Sequence, residues 1–318
     1  MTKFYNINGI PSNEPKPGSV VSEWRNNFWI TANDNTSELD FKLIGITHRL
    51  ADKMFGSVQR FYEMLSATSM ALPYAGIDSD IKVSKTEFEN WVKTDKSEST
   101  HKLLYYYDFR NLVGSLQNLV VESKILFCDF YKALNENSFM LSDKPMEPDM
   151  VTIASGMLVT GIFSRINHLF INLASQLDFI TKVFVEFANI PTDYSDYPRM
   201  KSNSILYGDA KKIREISFEN TLFERTDDIK LILSFRNEII HNASFENKPK
   251  VHQVFEKNIM VEKFILVPDN TKGNFDSYKN RTRFFNNEEK FNEMLPDLVT
   301  GFWKKLELTI DKLTVNVS

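Results

Sequence analysis

The stretch MLVTGIFSRINHLFINLASQLDFITKVFVEFANI, residues 157–190, is the strongest constraint in the chain. Its apolar residues run nearly all the way round a helical wheel. A helix made from it must be buried on most of its faces, in a bundle core or a dimer seam. Glycine and proline number 11 each against 26 phenylalanines, so breakers are few and large side chains to bury are many. That balance predicts long packed helices.

Other segments follow the same logic. Leu39, Leu43, Ile46, Leu50, Met54, Val58, Phe61 and Leu65 recur every three or four residues and predict a helix over 37–65, opened by Ser37 as N-cap. KTEFENWVKT predicts a short helix, and residues 99–137 one long amphipathic helix. Residues 1–37 read as irregular, with Pro11, Pro15, Pro17 and Gly18 early and a polar TANDNTS run late. LSDKPMEPDM, with two prolines, marks a boundary at residue 150. NTLFERTDDIKLILSFRNEIIHN predicts a helix capped by Asn220 or Thr221 and closed near Asn242. KVHQVFEKNIMVEKFILVPDN is partly alternating and predicts a small hairpin, and a helix containing Pro296 ends the chain. The expectation is a mostly α protein in two helical halves: an N-terminal domain over 1–150 and a helical bundle over 151–318, with a small β-hairpin inside the second.

Cys128 is the single cysteine and sits in an apolar run, so no internal disulfide is available. The N-terminus lacks a signal-like apolar core, and no run reads as transmembrane. These features predict a cytoplasmic protein without a membrane partner. Net charge is −4, which gives no global field for nucleic acid. Residues 199–283 nevertheless hold 16 Lys/Arg and 12 Asp/Glu, a local excess of cations. There is no H-E-x-x-H or other metal-ligand spacing, no phosphate-binding glycine loop and no nucleophile elbow. No metal or cofactor is expected.

The excess surrounds SFRNEIIHNAS, residues 234–244. Asn237 and His241 are four apart and share a helix face. Arg236 lies about 140° from His241 at 100° per residue, within reach of a long side chain. The three groups suit cleavage of a phosphodiester in RNA. Imidazole exchanges protons near neutral pH, guanidinium binds phosphate oxygens bidentately, and Asn237 can orient the histidine or hold a phosphate oxygen. Lys211, Lys212, Arg214, Lys248 and Lys250, with Arg281 and Arg283, are candidates for tracking the RNA backbone. Tyr207, Tyr278, Phe284 and Phe285 are candidate stacking platforms. One helix supplies only one histidine, so a two-fold dimer through this helix would bring two histidines to one phosphate. A plainer reading is a helix C-terminus decorated with cations, with Arg236 paired to Glu238, Asp227 or Asp228. His48 and His101 read as exposed helix positions, and His168 as a core or interface residue.

FRNEIIHN resembles the R-N-x-x-x-H signature of the HEPN superfamily (higher eukaryotes and prokaryotes nucleotide-binding domains). The helix order over about residues 151–318 is similar to its bundle. The resemblance implies a compact helical domain that dimerises through the motif helices. Many members are metal-independent endoribonucleases of toxin–antitoxin, phage-abortive-infection and CRISPR-associated systems. It places Arg236 and His241 in catalytic positions and Asn237 in the polar position after the arginine, and it implies RNA as substrate and a possible antitoxin or regulatory partner. Members lacking activity serve as dimerisation, nucleotide- or RNA-binding modules. Typically they have lost the arginine or the histidine, and both are present here.

Overall fold

The computed structural model describes residues 2–15, 18–31, 35–67, 71–95, 97–139, 148–212 and 219–315. In chain order the elements are β1 (Lys3–Asn6), β2 (Val20–Arg25), β3 (Phe28–Thr31), α1 (Thr36–Phe55), α2 (Val58–Ala67), α3 (Ala71–Tyr74), α4 (Lys85–Thr94), α5 (Glu98–Glu136), β4 (Met150–Ala154), α6 (Met157–Ala188), α7 (Asp227–Asn242), β5 (Val251–Glu256), β6 (Ile259–Phe264) and α8 (Phe291–Val315). Two hairpins of two-residue strands lie between β6 and α8, at 270–275 and 277–283.

The expectation of a mostly α or all-α protein is overturned. The chain is 56% helix but also 15% strand, in four small antiparallel sheets. The segment read as irregular forms the sheet β1-β2-β3, and β4 adds a third strand to the expected β5-β6 hairpin. For β2-β3 and β5-β6 the reason is turn chemistry; β1 and β4 pair across longer connections. Asn26 and Asn27 both take positive φ (51° and 65°), as do Lys257 and Asn258 (49° and 64°). A two-residue loop of that conformation matches the twist of the strands it joins. Trp24 then faces Trp29 across β2 and β3, ring centroids 4.8 Å apart, and the pair interaction outweighs the polar flanks. The long helix expected over 37–65 is likewise broken, because Gly56 takes φ 80° and ends α1.

Two compact units are present, and each draws on both halves of the sequence. The first holds Met1–Ser37, Leu119–Ser175 and Glu224–Leu306; the second holds Glu38–Asn118, Gln176–Phe223 and Glu307–Ser318. α6 is long and apolar enough, by length and composition, to cross a membrane, contrary to the sequence reading. Half of its most apolar window is buried inside the protein.

Two devices in the first unit hold the motif helix and its neighbours. Phe235 of α7 is fully buried, stacked on Phe170 of α6 at 4.1 Å and edge-on to Phe245, Phe275 and Phe291. The 270–275 hairpin places Gly273, at φ 78°, against the first turn of α7, and Ser234 Oγ donates to the Gly273 carbonyl at 2.8 Å. A Cβ at Gly273 would run into the Asp227 carbonyl oxygen and lie 2.9 Å from the Leu231 nitrogen. Elsewhere in this unit a buried polar knot joins separate segments. Asn135 exchanges two hydrogen bonds with the Asn6 backbone, and Lys263 Nζ donates to the carbonyls of Asn135 and Asn137 at 2.8 and 2.9 Å.

Gly273→Ala is expected to cost about 1–3 kcal/mol from the left-handed backbone alone. The clash with α7 adds to this, and the total is read as a lower midpoint in denaturant unfolding. Burial pushes the Lys263 ammonium down to about 8. A base held below its unfolded value is penalised at low pH, and the penalty lifts as pH rises from the folded toward the unfolded pKa. The stability difference between wild type and Lys263→Met should therefore grow in favour of wild type from about pH 8 to pH 10, measured by urea unfolding at each pH.

Candidate functional site

α7 presents three faces. Ile229, Ile232, Phe235 and Ile239 are buried in the first unit. Opposite them, Asn237 and His241 are exposed. Asp227 and Asp228 open the helix and His241 sits in its last turn, charges that complement the dipole when His241 is protonated. Two sequence expectations about its ends are corrected. The helix starts after Thr226, not after Asn220 or Thr221, and the left-handed cap is Ala243 (φ 66°), not Asn242. Asn167 of α6 donates to the Ala243 carbonyl at 3.1 Å and pins that end.

Arg236 is half-buried, and its Nη1 donates to Asn237 Oδ1 at 3.1 Å. The guanidinium is therefore drawn toward the face that carries His241. Two of the three acids expected to neutralise it are engaged elsewhere. Asp227 pairs with Lys230 at 2.8 Å, and Glu238 pairs with Arg283. No acidic partner for Arg236, and no hydrogen-bond partner for the His241 ring, is found among the described residues.

On the other flank of α7, Glu238 and Asn242 line a groove of about 570 Å³ with residues of the 244–250 and 281–285 segments. From sequence, Glu238 stood only as a candidate partner for Arg236. In the structure it is an organiser: it accepts from the exposed Asn242 Nδ2 at 2.8 Å, and it pairs with Arg283, Glu238 and Arg283 both being largely buried. The signal available in sequence was the i, i+4 spacing of Glu238 and Asn242. Arg283 leaves Nε and Nη1 buried without a partner among the described residues. Glu246, buried, pairs with Lys250 at 2.5 Å; burial raises its pKa and the lysine opposes that shift. Lys250 is thus spent on an internal pair, whereas Lys248 is exposed at the groove and Arg281 joins it. Tyr278 and Phe284 are exposed nearby in sequence.

The remaining expected positions are distributed differently. Lys211 and Lys212 end a 3-10 turn (Tyr207–Lys212) in the second unit; their side chains and Arg214 lie outside the described residues. Tyr207 is buried and donates to the Leu222 carbonyl, so it offers no stacking face. His101 is buried, with Nδ1 at 3.0 Å from the Tyr194 carbonyl, contrary to expectation. His168 is exposed and 3.2 Å from Glu122. His252 stacks on Phe264, and burial, followed by the nearby Lys250, lowers its pKa. Among the described residues no group of three His, Cys, Asp or Glu side chains is placed to hold a metal ion.

Breaking a buried pair leaves one charge uncompensated. Glu238→Ala is therefore expected to cost about 3 kcal/mol or more. The exposed Asn237→Ala should stay within about 0.5 kcal/mol. Equilibrium unfolding of the two variants checks the contrast.

Comparison with known proteins finds no match: no family model, no curated protein and no solved structure shows significant similarity to this chain.

Proposed function

We propose that the chain is a metal-independent endoribonuclease that acts as a homodimer through α7. The observation that carries this reading is the placement of Arg236, Asn237 and His241. They lie together on the outward side of a rigidly anchored helix, with the guanidinium turned to the asparagine and free of carboxylates among the described residues. In the reaction, one imidazole takes the proton of the ribose 2′-OH as its oxygen attacks phosphorus. The 5′-oxygen leaves with a proton supplied by the second subunit's imidazole, giving a 2′,3′-cyclic phosphate and a 5′-hydroxyl. Arg236 stabilises charge on the phosphoryl oxygens, and Asn237 positions the guanidinium.

Ile240, half exposed beside His241, supports association through this helix, since burying it rewards the dimer. Lys248 and Arg281 in the adjoining groove, with Tyr278 and Phe284, supply cations and rings for a single strand. The resemblance of FRNEIIHN to the HEPN signature supports the same chemistry. It extends the proposal to a cytoplasmic role in prokaryotic defence or a toxin–antitoxin pair, with an antitoxin or regulator as partner.

Purified wild type incubated with total RNA in EDTA is expected to generate fragments ending in 2′,3′-cyclic phosphate. His241→Ala should lose about 10²–10⁴-fold in rate, and Arg236→Ala about 10²–10³-fold. Equal cleavage by wild type and His241→Ala would overturn the assignment. Dimerisation without any cleavage would favour the non-catalytic binding module.

A further inference from the structure

The second unit contains a cavity that the proposed nuclease chemistry does not use. It occupies about 380 Å³ and is walled by α1, α2, α3 and α5. We propose that this cavity binds a small planar anion: an aromatic ring carrying a carboxylate or phosphate group.

Shape and wall chemistry point to the ring. Phe61, Tyr62, Tyr74, Tyr106 and Tyr107 line the space, and its volume lies in the usual range for small-molecule sites. The aromatic faces are already arranged around one another. Phe61 and Tyr106 have centroids 4.6 Å apart, and Tyr74 meets Tyr107 edge-on at 5.3 Å. A planar ligand can join such a cluster by stacking or edge contact without reorganising it.

Charge points to the anion. Arg110 and His48 line the cavity, and among the described residues no aspartate or glutamate does. Arg110 is exposed, with its guanidinium carbon 5.2 Å from the Tyr107 ring centroid, and no carboxylate pairs with it among the described residues. A guanidinium parked on a ring keeps its edge donors available for an oxyanion.

An unmet hydrogen bond supplies the independent observation. The Nδ2 of Asn111 is buried without a partner, and Nδ2 can only donate. The Tyr107 hydroxyl is also buried and is engaged by the neighbouring Tyr74 phenol, so it is not a free donor. Burial, reinforced by Tyr74, pushes the Tyr107 phenol up to about 12, so this wall of the cavity stays uncharged at neutral pH. Leaving a buried donor unpaired is costly, and an acceptor-bearing ligand that reaches Asn111 would relieve it. One unpaired donor, a guanidinium that no carboxylate claims among the described residues, and an aromatic wall together specify a ring with acceptor atoms and a negative group.

The test uses the full chain in isothermal titration with five compounds. AMP and UMP carry ring and phosphate, anthranilate carries ring and carboxylate, adenosine has the ring without charge, and inorganic phosphate has charge without the ring. The expected result is saturable binding of at least one ring-anion compound with Kd below about 1 mM, and at least tenfold weaker binding of adenosine and phosphate. Nucleotide binding as against anthranilate binding identifies the source of the anion. Arg110→Gln, at an exposed position, should weaken binding at least tenfold while circular dichroism stays unchanged. Asn111→Leu should weaken binding without loss of fold. Binding must persist in His241→Ala and Arg236→Ala, which separates this cavity from the proposed RNA site. Failure of all three ring-anion compounds, equal binding of adenosine, or undiminished binding by Arg110→Gln would each overturn the proposal.

Discussion

The burial of Phe235 is the constraint on which the candidate site depends. Its ring is stacked on Phe170 at 4.1 Å and enclosed by Phe245, Phe275 and Phe291. A buried phenylalanine of this kind is worth about 3–5 kcal/mol against truncation, far more than any exposed contact nearby. Because Arg236 and Asn237 follow it directly, that one packing choice sets the rotation of α7. At about 100° per residue, Asn237 falls roughly opposite Phe235 and His241 one turn beyond, so both must face outward. Gly273 completes the clamp: a residue without a Cβ lets the 270–275 hairpin close against the first turn of the helix.

Electrostatics then separates the two flanks of α7. On the groove side the acids are neutralised from within, Glu238 by Arg283 and Glu246 by Lys250. Desolvation makes these pairs sensitive to the loss of either member. It also leaves Lys248 and Arg281 as the groove cations that no acid claims among the described residues. On the motif side Arg236 meets an amide, which orients a guanidinium without cancelling its charge. A phosphate approaching this end of the unit would therefore meet uncompensated positive charge at His241's face and in the groove, in keeping with the proposed substrate.

The second unit spends its polar groups differently. Glu186 is fully buried yet satisfied, accepting from the Tyr105 hydroxyl at 2.6 Å and the Ser202 amide at 2.5 Å. Asp108, whose carboxyl burial pushes up in pKa, accepts from the Tyr197 hydroxyl, which opposes the shift. Against this background of acids paired with phenols, the unpartnered Asn111 amide and the unclaimed Arg110 stand out. Among the described residues neither has an acidic or accepting partner, in keeping with the proposed ligand.

Much of this was legible in the sequence. The three-to-four spacing of apolar residues determined the long helices α5, α6 and α8, because burial of an apolar stripe requires that period whatever the topology. The order Arg-Asn-x-x-x-His determined which residues can meet on one helix. The alternation around Lys257 and Asn258 determined the hairpin β5-β6. Only the tertiary structure decided the rest. Short strands such as β1 to β4 carry too few residues for a periodic signal; β2 and β3 are brought together by the Asn26-Asn27 turn, with Trp24 against Trp29, whereas β4 pairs with β5 across about a hundred residues. The same holds for Glu238 and Arg283, 45 positions apart, and for the cavity at Arg110 and Asn111. Their pairing or lack of it depends on what burial excludes from water, and no local pattern of residues encodes that.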